Sequence, residues 1–382
     1  MTINKLCLCL VVAGLQSAPA TRGRDCLVYF GTFTDESSKG IYGSKFDTNT
    51  GKLSEPNLAI ATPSPNYLAV SPNGKFLYAA TQVEMFKGKT GGAVSVFAID
   101  GHSGNLKLLD EEFSGGTGPC HVGVDATGQT VFAANYSGGS VKSFHVNSDG
   151  TLADGTFIQH QGHSVNANRQ SAAHAHCFVP APGGRFALAC DLGMDKVLIY
   201  RFDPLDAVLS TNGQAYATVT PGSGPRHLAF SPNGKTVYVV NEMACTVAVF
   251  GWDGLNGKLD MRQTIRLLPP SVAVEDAYTA AEIAVRPDGR FVYASVRGHD
   301  SVSVLAVDRK SGDLSLVENA PSGGKVPRGM GIDPTGRWLI VANQGSGTAS
   351  VFDISADTGH MIPVGQIRSV GTPVDVKFVL VE

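Results

Sequence analysis

The chain has 382 residues, of which 43% are hydrophobic, and it contains 45 glycines and 20 prolines. This apolar fraction is sufficient for a large core, and so many glycines and prolines are typical of a protein built from many short strands and turns. The net charge of −3 at pH 7 provides no basic field, so we expect neither nucleic acid nor an anionic membrane surface as a partner.

The first twenty residues have the pattern of an export signal. Lys5 precedes an apolar run over residues 6–15, and Ala18-Pro-Ala20 has the small side chains that signal peptidase accepts. The run is too short to cross a bilayer, so we predict cleavage near Ala20 and no membrane span. If the signal is used, the protein is exported to the periplasm or secreted; otherwise it is cytoplasmic.

One phrase then recurs six times along the chain. Its clearest copy, Phe230-Ser-Pro-Asn-Gly-Lys-Thr-Val-Tyr-Val-Val-Asn241, is typical of a strand, a tight glycine turn and a second strand. The turn glycines are Gly74, Gly128, Gly184, Gly234, Gly289 and Gly336, at steps of 54, 56, 50, 55 and 47 residues. A period near 50 predicts an all-β propeller with one four-stranded antiparallel blade per repeat. Gly-His and Trp-Asp pairs do not recur at this period, which disfavours a WD-repeat scaffold.

The two ends of the chain supply the remaining strands of a seventh blade. Residues 27–32 resemble the second strand of a blade, residues 40–46 a third, and residues 372–378 a first. A blade shared by both termini closes the ring and removes its open edges. We therefore predict a seven-bladed propeller that forms one domain over residues 26–380.

Strand direction predicts where polar residues gather. First strands begin, and second strands end, on the same rim of the central channel, whereas the glycine turns lie on the opposite face. The polar candidates at first-strand starts are Asn66, His121, His174, His176, Arg226, His227, Glu282 and Arg328. Those at second-strand ends are Gln82, Asn135, Asp191, Asn241, Glu242, Arg297, Asn343 and Gln344. Because matched positions carry different residue types in different blades, the rim is expected to bind a specific ligand.

Several of these residues also have a structural interpretation. The asparagines recur from blade to blade, as expected for capping or turn side chains. His121 and His227 follow Gly-Pro-Cys and Gly-Pro-Arg and are also suited to hydrogen bonding with loop backbone. Arg226 and Arg297 are suited to holding a carboxylate or phosphate, with salt bridges between blades as the competing explanation.

Metal binding is not indicated. His174 and His176 lie two apart on one strand face, a spacing that can bind metal, but no third ligand is placed with them. The five cysteines after the signal are odd in number and have no metal-like spacing, so we expect small buried apolar residues. Cys177 and Cys190 flank one hairpin and are expected to be close together.

Specific motifs resemble the seven-bladed propeller lactonase family over residues 26–380. They are Gly224-Pro-Arg-His227, Glu242 sixteen residues after Arg226, His174-Ala-His176, Ala281-Glu-Ile283 and Pro327-Arg-Gly329. The family includes bacterial propeller-type 6-phosphogluconolactonases and fungal carboxy-muconate lactonizing enzymes. The resemblance implies a catalytic group of His176, Arg226, Glu242 and Arg297. Substrate contacts are expected from the neighbouring rim residues His121, His174, His227, Asn241, Glu282, Arg328 and Gln344.

The implied chemistry is hydrolysis of a lactone that carries an anionic group. Glu242 or His176 is the expected general base, while one of Arg226 and Arg297 stabilises the oxyanion and the other holds phosphate or carboxylate. No Gly-x-Ser-x-Gly elbow lies on the rim, so a covalent acyl-enzyme is not expected, and neither a metal nor a cofactor is invoked.

Two other functions fit the same sequence. A cycloisomerase acting on a carboxylated muconate would use the same arginines for carboxylates and a proton donor instead of an activated water. A non-enzymatic secreted or surface propeller would share the Val-Tyr-Val-Val-Asn type of strand. Such arrays repeat their rim residues more uniformly, whereas in this chain the His, Arg and Glu are confined to particular blades.

Overall fold

The computed structural model describes residues 25–380, which form strands and turns without a helix. These residues therefore contain no helix that is long and apolar enough to span a bilayer. The predicted export signal, residues 1–20, lies outside the described residues.

Seven antiparallel sheets are arranged as the blades of a ring, and in each blade the strands follow one another from the axis outwards. Blade 1 is Pro65–Val70, Phe76–Thr81, Ala93–Ile99 and Leu106–Phe113; blade 2 is Pro119–Val124, Thr130–Asn135, Ser140–Val146 and Leu152–Gln159; blade 3 is Ala175–Pro180, Phe186–Asp191, Lys196–Asp203 and Val208–Thr218. Blade 4 is Pro225–Phe230, Thr236–Asn241, Thr246–Asp253 and Lys258–Arg266; blade 5 is Thr279–Val285, Phe291–Arg297, Ser301–Val307 and Leu314–Pro321; blade 6 is Pro327–Ile332, Trp338–Asn343, Thr348–Ile354 and Met361–Ser369. Blade 7 is Pro373–Leu380, Asp25–Thr32, Gly40–Asp47 and the outer pieces Lys52–Leu53 and Asn57–Ala61. A short hairpin, Met85–Phe86 with Lys89–Thr90, is inserted between the second and third strands of blade 1.

The repeated glycine turns have nearly the same backbone in six blades. All six glycines predicted from the sequence lie between first and second strands, with φ between 66° and 74°. Residues other than glycine adopt this left-handed conformation at a cost in free energy. The turn chemistry therefore explains why the glycine recurs with the period of the fold.

The ring is closed by hydrogen bonds between the two ends of the described chain. The strand Asp25–Thr32 pairs antiparallel with Pro373–Leu380, so that Cys26 faces Leu380 and Phe30 faces Val376. The C-terminal strand is innermost and the N-terminal strands follow outwards. The predicted seven blades and the shared closing blade are confirmed.

The hydrophobic core is itself a ring, because each of seven apolar clusters joins one pair of neighbouring blades. Between blades 6 and 7, for example, Trp338 packs edge-on against Phe46, with ring centroids 6.1 Å apart. The indole N–H of Trp338 also donates to the carbonyl of Thr48 across the same boundary, at 2.8 Å. Apolar side chains are thus used between blades, and the axis of the ring is left to polar groups.

A β-bulge near the rim interrupts the innermost strand of each of blades 1 to 6. Each bulge places extra residues opposite one partner on the second strand, which re-aims a side chain. The residues in the bulges are Asn66, Cys120, His176, Arg226, Ala281 with Glu282, and Arg328. Divergent residues therefore occupy one equivalent position around the axis.

The boundary between blades 6 and 7 gives a stability prediction with a matched control. Gly51 and Gly365 have φ of 71° and 72°, but an added Cβ would lie 2.3 Å from the Trp338 ring at Gly51 and would meet nothing within 4 Å at Gly365. We expect Gly365→Ala to destabilise the protein by about 1–2 kcal/mol through the backbone conformation alone. Gly51→Ala should add about 1–3 kcal/mol of overpacking. Guanidinium unfolding measures both, and equal losses would contradict the packing at this boundary.

Candidate active site

Glu242 is the centre of an ion-pair cluster at the rim of the channel. Its carboxylate lies 2.6 Å from Arg169 Nη2, 3.1 Å from Arg226 Nε and 3.0 Å from Arg297 Nη2. The Arg226 contact is an ion pair whose N–H is not aligned as a hydrogen bond. The Glu242 side chain is only 6% exposed. Arg226 and Arg297 are thus in ion pairs, and the pair with Arg297 crosses from blade 4 to blade 5, as the competing explanation from the sequence proposed.

The local backbone explains how Glu242 reaches this place. It directly follows the second strand of blade 4, and its N–H donates to the carbonyl of Gly224 at 2.7 Å, two residues before the bulged Arg226. In blade 2 the N–H of Tyr136 makes the equivalent bond to Gly118 at 2.8 Å. The same turn of backbone therefore presents a carboxylate in one blade and a phenol in another.

Electrostatics keep Glu242 ionised. Burial by itself raises the pKa of this carboxyl, but the positive charges of Arg297 and Arg226 outweigh it and hold the pKa well below its ordinary range. A carboxylate stabilised in this way is a weak proton acceptor. Of the two bases considered from the sequence, Glu242 is thus the one whose lone pairs are already engaged by guanidinium groups.

His176 lies beside this cluster as a neutral imidazole. Burial, reinforced by the charge of Arg226, lowers its pKa well below the ordinary value. Its ring packs edge-on against Tyr136 and His227, at centroid distances of 5.4 and 5.0 Å. Nδ1 lies 3.9 Å from the thiol of Cys120, while no group in residues 25–380 hydrogen-bonds to Nε2. That nitrogen is free to accept a proton.

His174 contacts Tyr136, the residue that follows the second strand of blade 2. Its ring stacks on Tyr136 at 4.6 Å, and its Nδ1 lies 3.0 Å from the Tyr136 carbonyl oxygen. Among residues 25–380, no group of three or more His, Cys, Asp and Glu side chains is placed to hold a metal ion.

Arg169 and Tyr136 are site residues that the sequence reasoning missed. Arg169 belongs to the longest connection between blades, residues 160–174, which lies outside the repeat. Its Nη2 also lies 3.4 Å from the Tyr136 hydroxyl. The connection is braced by a hydrogen bond from Ser164 Oγ to Asp195, at 2.6 Å. Two features of the sequence could have indicated these residues. The length of the connection could have drawn attention to Arg169, and Tyr136 occupies the same position in the repeat as Glu242.

His227, His121 and Glu282 form a second buried group, which contacts His176 through the ring of His227. Nδ1 of His227 is 3.0 Å from Glu282 Oε1, and the His121 ring stacks on Tyr67 at 4.4 Å. All three predicted residues are at most 5% exposed. Burial raises the pKa of Glu282, and its Oε2 has no hydrogen-bond partner among the described groups. These residues are therefore buried side chains, as His176 is at 5% exposed, so exposure alone does not separate them from the rim residues.

Arg328 stands apart from the ion-pair cluster. Its guanidinium lies over the ring of Phe33, 5.2 Å from the centroid. Within residues 25–380 it has neither a carboxylate partner nor a hydrogen bond. Gln344, expected beside it, is half-buried at a separate surface pocket between blades 6 and 7.

The remaining rim candidates have structural contacts. The side-chain amides of Asn135, Asn241 and Asn343 donate to the hydroxyls of Ser140, Thr246 and Ser350, at 3.0–3.1 Å. Asn66 donates to Gln82 at 2.7 Å, and Asp191 is 2.6 Å from His160 Nδ1. The capping interpretation therefore describes the contacts of Asn241 better than substrate binding does.

The cysteines are mostly buried, as expected, with one exception. Cys177 and Cys190 face each other on neighbouring strands of blade 3, and they and Cys245 are buried thiols. Cys120 is half-buried in the bulge of blade 2, the position that Arg226 occupies in blade 4. Burial raises its pKa to about 12, so it is a protonated thiol at the edge of the funnel.

The cluster predicts a pH-dependent loss of stability for Glu242→Gln. The variant leaves arginines without their anion, and we expect a loss of about 3–5 kcal/mol at pH 7, as for other buried pairs that lose one partner. Because the folded pKa is depressed, the wild-type advantage is present above the unfolded value of about 4.3 and shrinks as the pH falls below it.

Chemical unfolding at pH 7 and pH 3.5 measures this difference. Glu55→Gln is the control, since Glu55 pairs with Arg368 at 3.2 Å but is 77% exposed, and exposed pairs contribute little. A loss at Glu242 that does not change with pH, or that equals the Glu55 effect, would argue against the cluster as described.

Comparison with known proteins places this geometry in a family. Residues 27–378 match the family described as "Lactonase, 7-bladed beta-propeller". The chain is 36% identical to a 6-phosphogluconolactonase from Bacillus subtilis, covering 92% of this chain and 97% of that protein. A 6-phosphogluconolactonase from Formosa agariphila is 32% identical, with coverages of 87% and 94%. The structure of a periplasmic gluconolactonase from Pseudomonas aeruginosa superposes with a TM-score of 0.87 at 34% identity, covering 94% of this chain and all of that one. The chain belongs to the seven-bladed β-propeller lactonase family.

Proposed function

We propose that this protein hydrolyses the lactone of an anionic sugar acid, with 6-phospho-D-glucono-1,5-lactone opened to 6-phosphogluconate as the type reaction of carbohydrate metabolism. The observation that carries the proposal is a neutral imidazole, His176, beside a cluster of guanidinium groups at one rim of the channel. The activities named for the relatives from Bacillus, Formosa and Pseudomonas support the reaction class.

The charge balance of the funnel supports an anionic substrate. Three guanidiniums, of Arg169, Arg226 and Arg297, contact one ionised carboxylate, and Arg328 adds a fourth positive charge nearby, in a protein whose net charge is −3. A concave site of one sign attracts ligands of the other, and fixed cations stabilise the negative charge that develops in ester hydrolysis. A phosphorylated sugar lactone has a negative charge on its phosphate group, and a second one develops on its carbonyl oxygen during hydrolysis.

His176 is the base in this mechanism. Its Nε2 accepts a proton from water while the water oxygen attacks the lactone carbonyl carbon, which gives a tetrahedral oxyanion. Collapse of this intermediate breaks the bond between the carbonyl carbon and the ring oxygen. The imidazolium returns the proton to the departing ring oxygen, so the products are the free acid and the regenerated imidazole.

Arg297 is the better placed of the two cluster arginines to stabilise the oxyanion. Its side chain is 12% exposed, against 3% for Arg226. Both side chains donate to backbone carbonyls, but the bond from Arg226 Nη1 to Ala281, at 2.5 Å, is shorter than that from Arg297 Nη2 to Ala280, at 3.2 Å. Arg226 and Glu242 then serve to position Arg297, and removing a donor of this kind typically costs about 10²–10³ in kcat.

A substitution at His176 tests the assignment. We expect His176→Asn to lower kcat about 10²–10⁴-fold, the usual contribution of a general base. His102→Asn, at an exposed turn on the opposite face, is the control and should retain full activity. Opening of the lactone is followed by proton release, with folding checked by circular dichroism. A folded His176→Asn variant with unchanged kcat would exclude His176 as the base.

The pH profile gives a second test. The base must be unprotonated to act, and the pKa of His176 lies below its ordinary value of about 6.5. Activity should therefore stay level as the pH falls to that value and decline only at lower pH. Initial rates between pH 4.5 and 7.5, corrected for spontaneous opening, measure the position of this acidic limb. A limb centred at or above 6.5 would contradict the proposed environment of His176.

We also infer that the protein is exported, on the strength of residues 1–20 and of the periplasmic relative from Pseudomonas. Fractionation of cells that produce the full chain would test this, and recovery of the unprocessed chain in the cytoplasm alone would refute it.

A further inference from the structure

We infer that Arg328 is the residue that selects phosphorylated lactones over neutral ones, by binding the phosphate group of the substrate. This inference rests on the proposed lactonase function and assigns a role that differs from those of the three arginines around Glu242. Those arginines already have an anion, whereas Arg328 does not.

The contacts of Arg328 set it apart. Arg169, Arg226 and Arg297 each lie within 3.1 Å of a Glu242 oxygen. Arg328 instead packs over Phe33, and within residues 25–380 no group accepts a hydrogen bond from its guanidinium. A guanidinium presents five N–H donors in a fixed planar fork, and in Arg328 all of them remain for a ligand. The contact with the Phe33 ring holds the guanidinium without using its donors.

The electrostatic surroundings favour an anion beside Arg328. Burial, together with the positive charges of Arg226 and Arg297, lowers the pKa of Arg328 to about 9. Its charged form is therefore destabilised until an anion arrives. A phosphate dianion relieves the repulsion and accepts two parallel hydrogen bonds from the fork, a geometry that a neutral hydroxymethyl group does not match.

The backbone also holds Arg328 in place. Two residues earlier, Val326 has φ of 56°, a conformation that β-branched residues rarely adopt. Gly118 and Gly224 have φ of 63° and 66° at the equivalent positions of blades 2 and 4. In blade 6 the Val326 N–H donates to Asp300 at 2.7 Å, and its carbonyl accepts from the Gln344 N–H at 2.9 Å. The bulge is thus kept in a shape that directs Arg328 into the funnel, although no glycine is present.

The test compares two substrates, 6-phosphoglucono-1,5-lactone and glucono-1,5-lactone. We expect wild type to have the higher kcat/KM with the phosphorylated lactone. Arg328→Gln should lower the ratio of the two kcat/KM values about 10- to 100-fold, mainly through KM, as for loss of hydrogen bonds to a charged group. Arg328→Lys, which keeps the charge but not the fork, should recover part of the ratio. Arg337→Gln is the control, because Arg337 lies in the same blade, half-exposed, and pairs with Asp353.

Competing anions provide a readout without turnover of the phosphorylated lactone. Inorganic phosphate should inhibit opening of glucono-1,5-lactone by wild type at lower concentration than malonate does, and this inhibition should weaken about 10-fold or more in Arg328→Gln. Inhibition by phosphate that is the same in both proteins, or weaker than inhibition by malonate, would overturn the assignment of a phosphate site.

The remaining outcomes separate this inference from the proposed function. If Arg328→Gln lowers kcat/KM equally for both lactones, or for neither, Arg328 does not select the phosphate and the inference fails while the lactonase function stands. If wild type opens neither lactone, the proposed function itself fails.

Discussion

The constraint on which the structure depends is that its apolar side chains lie between blades and not at the centre. Seven apolar clusters, one at each boundary, use the two faces of every sheet. The axis is consequently lined by charged and polar groups that have lost much of their water, and an unpaired buried charge there costs several kcal/mol. They pair with one another, as in Glu242 with its arginines and Asp375 with Lys377 at 2.6 Å.

The same pairing identifies the groups that remain for a ligand. Glu242 is neutralised by arginines, and the acceptor of His227 Nδ1 is Glu282. Among the rim residues that the structure describes, the Nε2 of His176 and the guanidinium of Arg328 have no hydrogen-bond partner. A proton acceptor and an unmatched cation are complementary to an ester that carries an anionic group. Under the proposed function, the paired polar residues stabilise the funnel and these two groups act on the substrate.

Much of the fold was predictable because its periodic element has a local cause. The turn between first and second strands needs a residue in the left-handed conformation, so glycine recurs once in each of six blades. The spacing of these glycines marks where each of those blades begins. Strand direction then places Arg226, Glu242 and Arg297 on one rim. The bulges were not visible in the sequence, although the matched Gly-Pro-Cys-His121 and Gly-Pro-Arg-His227 segments already align Cys120 with Arg226. Arg169 was missed because it lies in a connection outside the repeat. The convergence of three arginines on Glu242, which weakens it as a base, depends on distances that no repeat pattern reports.

The closing blade has a consequence for how the protein is made. Its innermost strand, Pro373–Leu380, is synthesised after every other described strand, yet it pairs with the first of them, Asp25–Thr32, and Phe33 just beyond that strand contacts Arg328. Contacts so distant along the chain form slowly, since a long loop must close before they contribute. A nascent chain can fold individual blades during translation, but it cannot complete the ring. Closure of the ring is thereby postponed until residues 373–380 have been made, and a chain truncated before residue 373 would lack the strand that closes it.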